Sequence, residues 1–320
     1  MILRDTLKKL ITGLTIPQEY VCVGLETLQP QSSVILEINN QEFSLDVTTS
    51  HLFLGYKPLI IGLTFSVDDA NFEIVKTQRK ITFRFLTQDM LLAKLSLKKI
   101  GEKRLNNEVV LFFWGKHGTH SFLNPIHQWI NRQRERWRKQ LPNNINLPGN
   151  LFEQVRIAYS IPRVISIVTV SDGSLINMFP TDLHGSVGKG FYASSLRKGG
   201  LANEQVEKYH RVVISEVDIS FYKQAYSLGK NHMQELKEEN RFPTHTEKSK
   251  AFNFPLPKDV IHYRELKRID FLDHGIHRIH LYEVIHEHAV RSGKSTLAHI
   301  HQYYAQWRLD QGIQTQLFLR

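Results

Sequence analysis

A β-rich α+β chain of two domains is what this sequence predicts. Short β-branched and aromatic runs separated by turn residues recur in both halves, helix-periodic stretches are few, and 320 residues exceed what one core ordinarily needs. The leading stretch MILRDTLKKLITGLTIPQ reads as a short helix. It carries Asp5 and lacks a small-residue cleavage site, so it does not read as a signal peptide. The runs EYVCVGLE, SVILEINN, EFSLDVTT, PLIIGLTFS, ITFRFLT and EVVLFFWG then read as strands. Between the last two, DMLLAKLSLKKIG reads as a helix stopped by Gly101. His117 and His120, in KHGTH, read as exposed loop histidines, since a pair supplies too few ligands for a metal.

HQWINRQRERWRK, His127 to Lys139, has helical spacing and the densest positive charge in a chain of net charge +10. Trp129 and Trp137 are expected to dock the helix and its arginines to face solvent. An acidic or nucleic acid partner is the alternative, and nucleic acid binding is not expected. LPNNINLPGN, Leu141 to Asn150, interrupts both periodicities, so the domains are expected at 1–145 (β-rich, role open) and 146–320. No apolar run nears the roughly 20 residues of a spanning helix, so no membrane partner is expected. The only cysteine, Cys22, has no disulfide partner within the chain, which agrees with the cytoplasm.

The second half opens on RVISIVTVSDG, a strand ending in Asp172-Gly173, with LINMF running back from the turn. Pro180 cannot donate to a ladder, so pairing is expected to end near it and leave PTDLHG free. GFYASSL is a strand, followed by Arg197, Lys198, two glycines and a helix whose N-cap is expected at Asn203. Hydroxyls, a cation, glycines and a helix start suit a phosphate, though by composition alone such residues more often mark a turn. VIHYRELKRIDFLDHGIHRIHLYEVIHEHAV reads as a strand pair about DHGIH. STLAHIHQYYAQWR closes the region.

This succession, over about residues 160–307, resembles the flavin reductase-like family with its FMN-binding split β-barrel. The resemblance rests on IPRVISIVTVSDGSLINMFPTD, on GIHRIHLYEV in place of the family's Gly-x-His strand, and on LAHIHQYYAQW in place of its closing segment. It implies a C-terminal split barrel binding FMN ahead of FAD, with NAD(P)H as electron donor. It places a first flavin-contacting strip on Asn177, Met178, Phe179, Pro180, Thr181 and Asp182. A second strip falls on Ser194, Ser195, Leu196 and Arg197, with Asn203 beside the phosphate and Arg197 as its cation. The chain departs from the family in GSVGKG before the second strip and in Ala202-Asn203 near the phosphate.

No catalytic acid or base is assigned, because a bound flavin carries the hydride chemistry itself. No metal is assigned either: His286 and His288 share a strand face, as do His299 and His301, but no cysteine or paired carboxylate completes a site. DVTTSHLFLGYKPLIIGLTFS repeats the family's Thr-Ser, Pro and apolar-strand order. The N-terminal domain thus reads either as a degenerate copy of the barrel or as core strands of its own. Family barrels pair, which implies a homodimer or a tandem pair within the chain. Two functions remain open: a flavin-dependent oxidoreductase, and a scaffold whose barrel has lost its flavin.

Overall fold

A computed structural model describes residues 9–25, 32–38, 42–137, 146–292, 295–313 and 317–318, with 135–137 and 318 as backbone alone. After β1 (Tyr20–Leu25) come β2 (Ser32–Glu37), β3 (Ser44–Asp46), β4 (His51–Tyr56), β5 (Leu59–Ser66), helix α1 (Ala70–Lys76), β6 (Lys80–Thr87), β7 (Met90–Leu105) and β8 (Glu108–His120). Helices α2 (Pro125–Trp137) and α3 (Leu151–Ala158) and strand β9 (Arg163–Val164) lead onward. They are followed by β10 (Ser166–Ser171), β11 (Ile176–Thr181), β12 (His184–Ser186), β13 (Phe191–Arg197), α4 (Leu201–Tyr209), β14 (Arg211–Val217) and α5 (Tyr222–Leu228). The chain closes with β15 (Thr244–Lys248), β16 (Pro255–Pro257), β17 (Val260–His274), β18 (His277–Ala289), β19 (Thr296–His301), α6 (Gln302–Asp310) and β20 (Leu317–Phe318).

Two seven-stranded antiparallel sheets dominate, in the orders β3-β2-β6-β7-β8-β5-β4 and β11-β10-β14-β17-β18-β13-β12. Numbered by their succession within each sheet, the strands run second, first, fifth, sixth, seventh, fourth, third in both. A helix follows the fourth strand in each, α1 after β5 and α4 after β13. The N-terminal sheet is therefore a second copy of the C-terminal one.

Burial shows how the copies meet. β2 and β6 alternate between buried and half-buried residues, as strands with one face toward a core do. β5, β8 and β13 instead carry runs of five consecutive buried residues. Their second face lies against the other copy: Leu54, Ile60, Val110 and Phe112 form one apolar cluster with Val187, Ala193, Ile279 and Leu281. Equivalent strands thus face each other across a seam, as in an isologous dimer made within one chain.

The ends of the chain are interwoven. β1 pairs with β19 along its whole length, from Tyr20↔His301 to Leu25↔Thr296, inside a third sheet of order β20-β1-β19-β9. α3 lies on β8, where a Cβ at Gly118 would come within 2.8 Å of Ile157 Cδ1. Residues 141–145 of the expected domain break lie outside the described residues.

Several sequence expectations change. DMLLAKLSLKKIG belongs to β7, not to a helix. Ala93, Leu95 and Leu97 are buried while Lys94, Ser96 and Lys98 are exposed, a period of two that the helix-favouring Leu, Ala and Lys conceal. Gly101 sits inside that strand at a register shift. His117 and His120 are likewise in a strand, and His120 is buried between Tyr304 and Glu153. Pairing ends one residue past Pro180, at Thr181, near where it is expected, but PTDLHG is not left free: Pro180 faces Ile167, and His184 and Gly185 pair with β13. β11 is an edge strand, so the missing Pro180 N–H breaks no ladder. Asn203 is not the cap of α4, which starts after Gly200. Trp129 does not dock α2: it is 57% exposed, while Asn131 is buried. No helix among the described residues is long and apolar enough to cross a membrane.

Candidate functional site

The first predicted strip divides at Pro180. Met178 and Phe179 are buried in apolar clusters. The Asn177 amide donates to Gln205 Oε1 at 2.8 Å and to the Asn231 carbonyl at 3.0 Å. The outer edge of β11 is occupied as well, since Asn231 donates to the Met178 carbonyl and His232 Nε2 lies 2.8 Å from that of Pro180. Thr181 accepts from the Leu183 N–H, and Asp182 reaches a cleft.

In the second strip, Ser194 bonds Tyr282 at 2.8 Å and Leu196 is core. Asn203 Oδ1 meets His280 Nε2 at 2.9 Å, and its amide donates to Glu207. Ser195 and Arg197 instead lie at the seam. The Ser195 hydroxyl is 3.2 Å from Nδ1 of His277, the histidine of the Gly-x-His strand. Arg197 Nε donates to Tyr56 Oη at 2.6 Å, and the Tyr56 ring stands edge-on to His277 with centroids 4.4 Å apart. Tyr56 comes from the N-terminal copy and the other three from the C-terminal copy. Burial and the Arg197 charge hold His277 neutral, lowered to about 4, and its buried Nε2 has no hydrogen-bond partner among the described residues. An unsatisfied buried polar atom is costly and suits a ligand group.

The Asp182 cleft has a volume of about 420 Å³ and is lined by Glu19, Tyr20, Tyr159, Tyr226 and His299 besides Asp182. Asp182 Oδ2 accepts from Tyr159 Oη and from His299 Nδ1, each at 2.9 Å. Burial opposes both charges, but the shared hydrogen bond outweighs it: Asp182 is lowered, and His299, with the Cys22 thiol also beside it, is raised to about 9. Cys22 stands opposite His299 across the β1–β19 ladder. Cleft and seam are neighbours, because the Tyr56 phenol and the His232 ring each feel both Arg197 and Asp182.

A group raised from 6.5 to about 9 on folding stabilises fully below pH 6.5 and loses that contribution as pH climbs through 9. Allowing for screening by water in the cleft, about 2 kcal/mol is expected to disappear across that window. Urea melts at pH 6 and pH 9.5 on the parent and on His299→Gln measure it; the substitution is expected to flatten the difference.

Sequence reasoning missed Tyr20, Tyr56, Tyr159, Tyr226 and Glu19, and considered His299 only as a metal ligand. No three His, Cys, Asp or Glu side chains gather as metal ligands among the described residues. His286 and His288 stack with ring centroids 6.2 Å apart.

The repeated sheet order defines the architecture, two seven-stranded antiparallel units of one strand order within one chain. No family model matches the chain, and neither does any curated protein. Among solved structures it is similar to the NADH:FAD oxidoreductase of Streptomyces globisporus C-1027, at 15% identity and TM-score 0.43, over 56% of this chain and 99% of that one. An FMN-binding protein from Thermus thermophilus with bound p-hydroxybenzaldehyde has 15% identity and TM-score 0.39, over 48% and 83%. The styrene monooxygenase flavin reductase of Pseudomonas putida S12 has 8% identity and TM-score 0.37, over 52% and 97%.

Proposed function

We propose that the chain is an FMN-binding oxidoreductase of flavin reductase type, with NAD(P)H as donor, whose flavin lies along the seam between the two copies. One observation carries the reading. Arg197, Ser195 and His277 of one copy converge with Tyr56 of the other, beside an aromatic-walled cleft, and the inward His277 Nε2 is left unsatisfied. A fixed guanidinium suits a phosphate, which it can grip by two oxygens. Tyrosine walls suit a planar ring. The internal seam takes the place of a homodimer interface, and the lone cysteine fits the reducing cytoplasm.

A bound flavin would accept hydride from a nicotinamide and pass electrons on. The protein's own part is positional and electrostatic. Arg197, held by Tyr56, would anchor the phosphate, and neutral His277 would offer Nε2 as a hydrogen-bond partner. The His299–Asp182 pair keeps a proton on an imidazole at the cleft at neutral pH, with Tyr159 fixing the carboxylate. Thr181, Asp182, Ser195 and Arg197 are the members of the two strips that take part. Asn177, Met178, Phe179, Pro180, Ser194, Leu196 and Asn203 support them from behind.

The scaffold reading draws support from one observation, that the Met178 and Pro180 carbonyls are already taken by Asn231 and His232. Arg197→Ala tests the phosphate anchor, and a parent chain that binds neither flavin would favour the scaffold. Losing a charge-assisted phosphate contact is expected to cost about 1.5–3 kcal/mol, or 10- to 150-fold in Kd, for FMN and almost nothing for riboflavin. Equal losses for both flavins, measured by fluorescence quenching, would remove Arg197 from the site.

A further inference from the structure

We propose that the outer face of α2, with the adjoining residues 9–12, docks on an anionic lipid surface. α2 does not bury Trp129 as its sequence leads one to expect. Asn131 points inward, donating to the Thr12 carbonyl at 2.9 Å, while Ile126 and Trp129 are 65% and 57% exposed. Beside them, Leu10 and Ile11 are 74% and 45% exposed, held against α2 by His127 Nε2 lying 3.1 Å from the Leu10 carbonyl. Ile126 and Trp129, three residues apart, share one face of α2, and two more large apolar side chains stand exposed on the segment that α2 holds.

The charge around them selects the occupant. Within α2, Arg132, Arg134 and Arg136 outnumber Glu135, and Arg138 and Lys139 follow in the sequence. Arg132 is 3.7 Å from the buried Glu153 and Lys9 pairs with Asp310, whereas Arg134 is exposed and, among the described residues, meets the neutral Asn131 Oδ1 at 3.5 Å and no carboxylate. Exposed aliphatic and indole side chains in an arginine-rich sequence are the composition of an interfacial helix, which sinks its apolar face at headgroup level and pairs its cations with anionic lipid. A nucleic acid surface would put stacking rings where Ile126, Leu10 and Ile11 stand. A second copy on the same patch would bring arginine against arginine.

The test is co-sedimentation of the full chain with phosphatidylserine-containing and with pure phosphatidylcholine vesicles, together with tryptophan emission. Expected are binding to the anionic vesicles only, a blue shift on binding, and weakening as salt rises. Ile126→Ser with Trp129→Ser is expected to weaken binding at least tenfold, and Arg134→Gln about fivefold. Both positions are exposed, so an unchanged Tm accompanies the loss. No binding to anionic vesicles overturns the proposal. So does binding that survives the double substitution. Trp129-dependent binding of single-stranded RNA, or self-association, without vesicle binding would assign the face to those partners instead.

Discussion

Gly275→Ala is expected to destabilise the protein by about 4 kcal/mol, summing left-handed backbone strain and overpacking. Gly275 lies in the two-residue turn between β17 and β18 with φ +57°, and a Cβ built there would come within 2.1 Å of the Lys57 carbonyl oxygen. That oxygen is backbone and accepts from the Ile276 N–H at 3.2 Å, so it cannot step aside without moving the turn between β4 and β5. The clash is at the seam, one residue from Tyr56. Gly199→Ala is the control: φ is +78° there, but nothing lies within 4 Å of the new methyl group. It is expected to cost only the backbone term, about 1–2 kcal/mol. Urea denaturation of the two variants measures the difference, and equal losses would mean that the copies do not press together at Lys57.

Arg156→Ala is expected to cost about 2–4 kcal/mol, because it empties a buried site and breaks the guanidinium's pair with the half-buried Glu19 from one side. Arg156 is 1% exposed. Its guanidinium donates to Tyr303 Oη at 2.6 Å and to Glu19 Oε1 at 3.3 Å, and lies 3.2 Å from the centre of the Phe152 ring. Burial pushes the Glu19 carboxyl up, but His301 and Arg156 together pull it down to about 2. Its contribution is therefore present above pH 4.5 and lost as pH falls toward 2. Without Arg156 the carboxylate loses one of the two groups that pull it down, so the acid limb of the stability curve is expected to move to higher pH. Arg156→Met with Glu19→Gln, which removes both charges and keeps most of the volume, is expected to recover much of the loss. Thermal melts from pH 3 to 7 compare the variants. A single substitution no worse than the double one would show that the pair contributes packing alone.

What the sequence disclosed follows the range of the interactions. The β17–β18 hairpin was legible because Asp273 to His277 carries its turn locally, and Asp172-Gly173 marked the β10–β11 turn in the same way. β7 was hidden by helix-favouring residues whose period of two, over Ala93 to Lys98, is the better guide. The doubling of the fold left only a Thr-Ser and Pro order in the N-terminal half. The seam was nevertheless written into the uninterrupted apolar runs of β5 and β8, which pack on both faces. The cleft could not be read. Asp182 and His299 are 117 residues apart, and Cys22 meets His299 only because β1 crosses to the C-terminal strands. Trp129 shows the converse failure: two tryptophans on one helical face suggest docking anchors, yet it is Asn131 that faces inward, bonding the Thr12 carbonyl.

Titration of the purified chain with FMN, read by visible absorbance and by thermal shift, tests the flavin assignment most directly. Binding is predicted to give a yellow protein whose stabilisation grows with free FMN, by about 2.7 kcal/mol at a hundredfold excess over Kd. Its colour is predicted to bleach when NADH or NADPH is added without oxygen. A protein that stays colourless after dialysis against FMN, with a Tm that free FMN does not move, would contradict the account and leave the seam a structural joint.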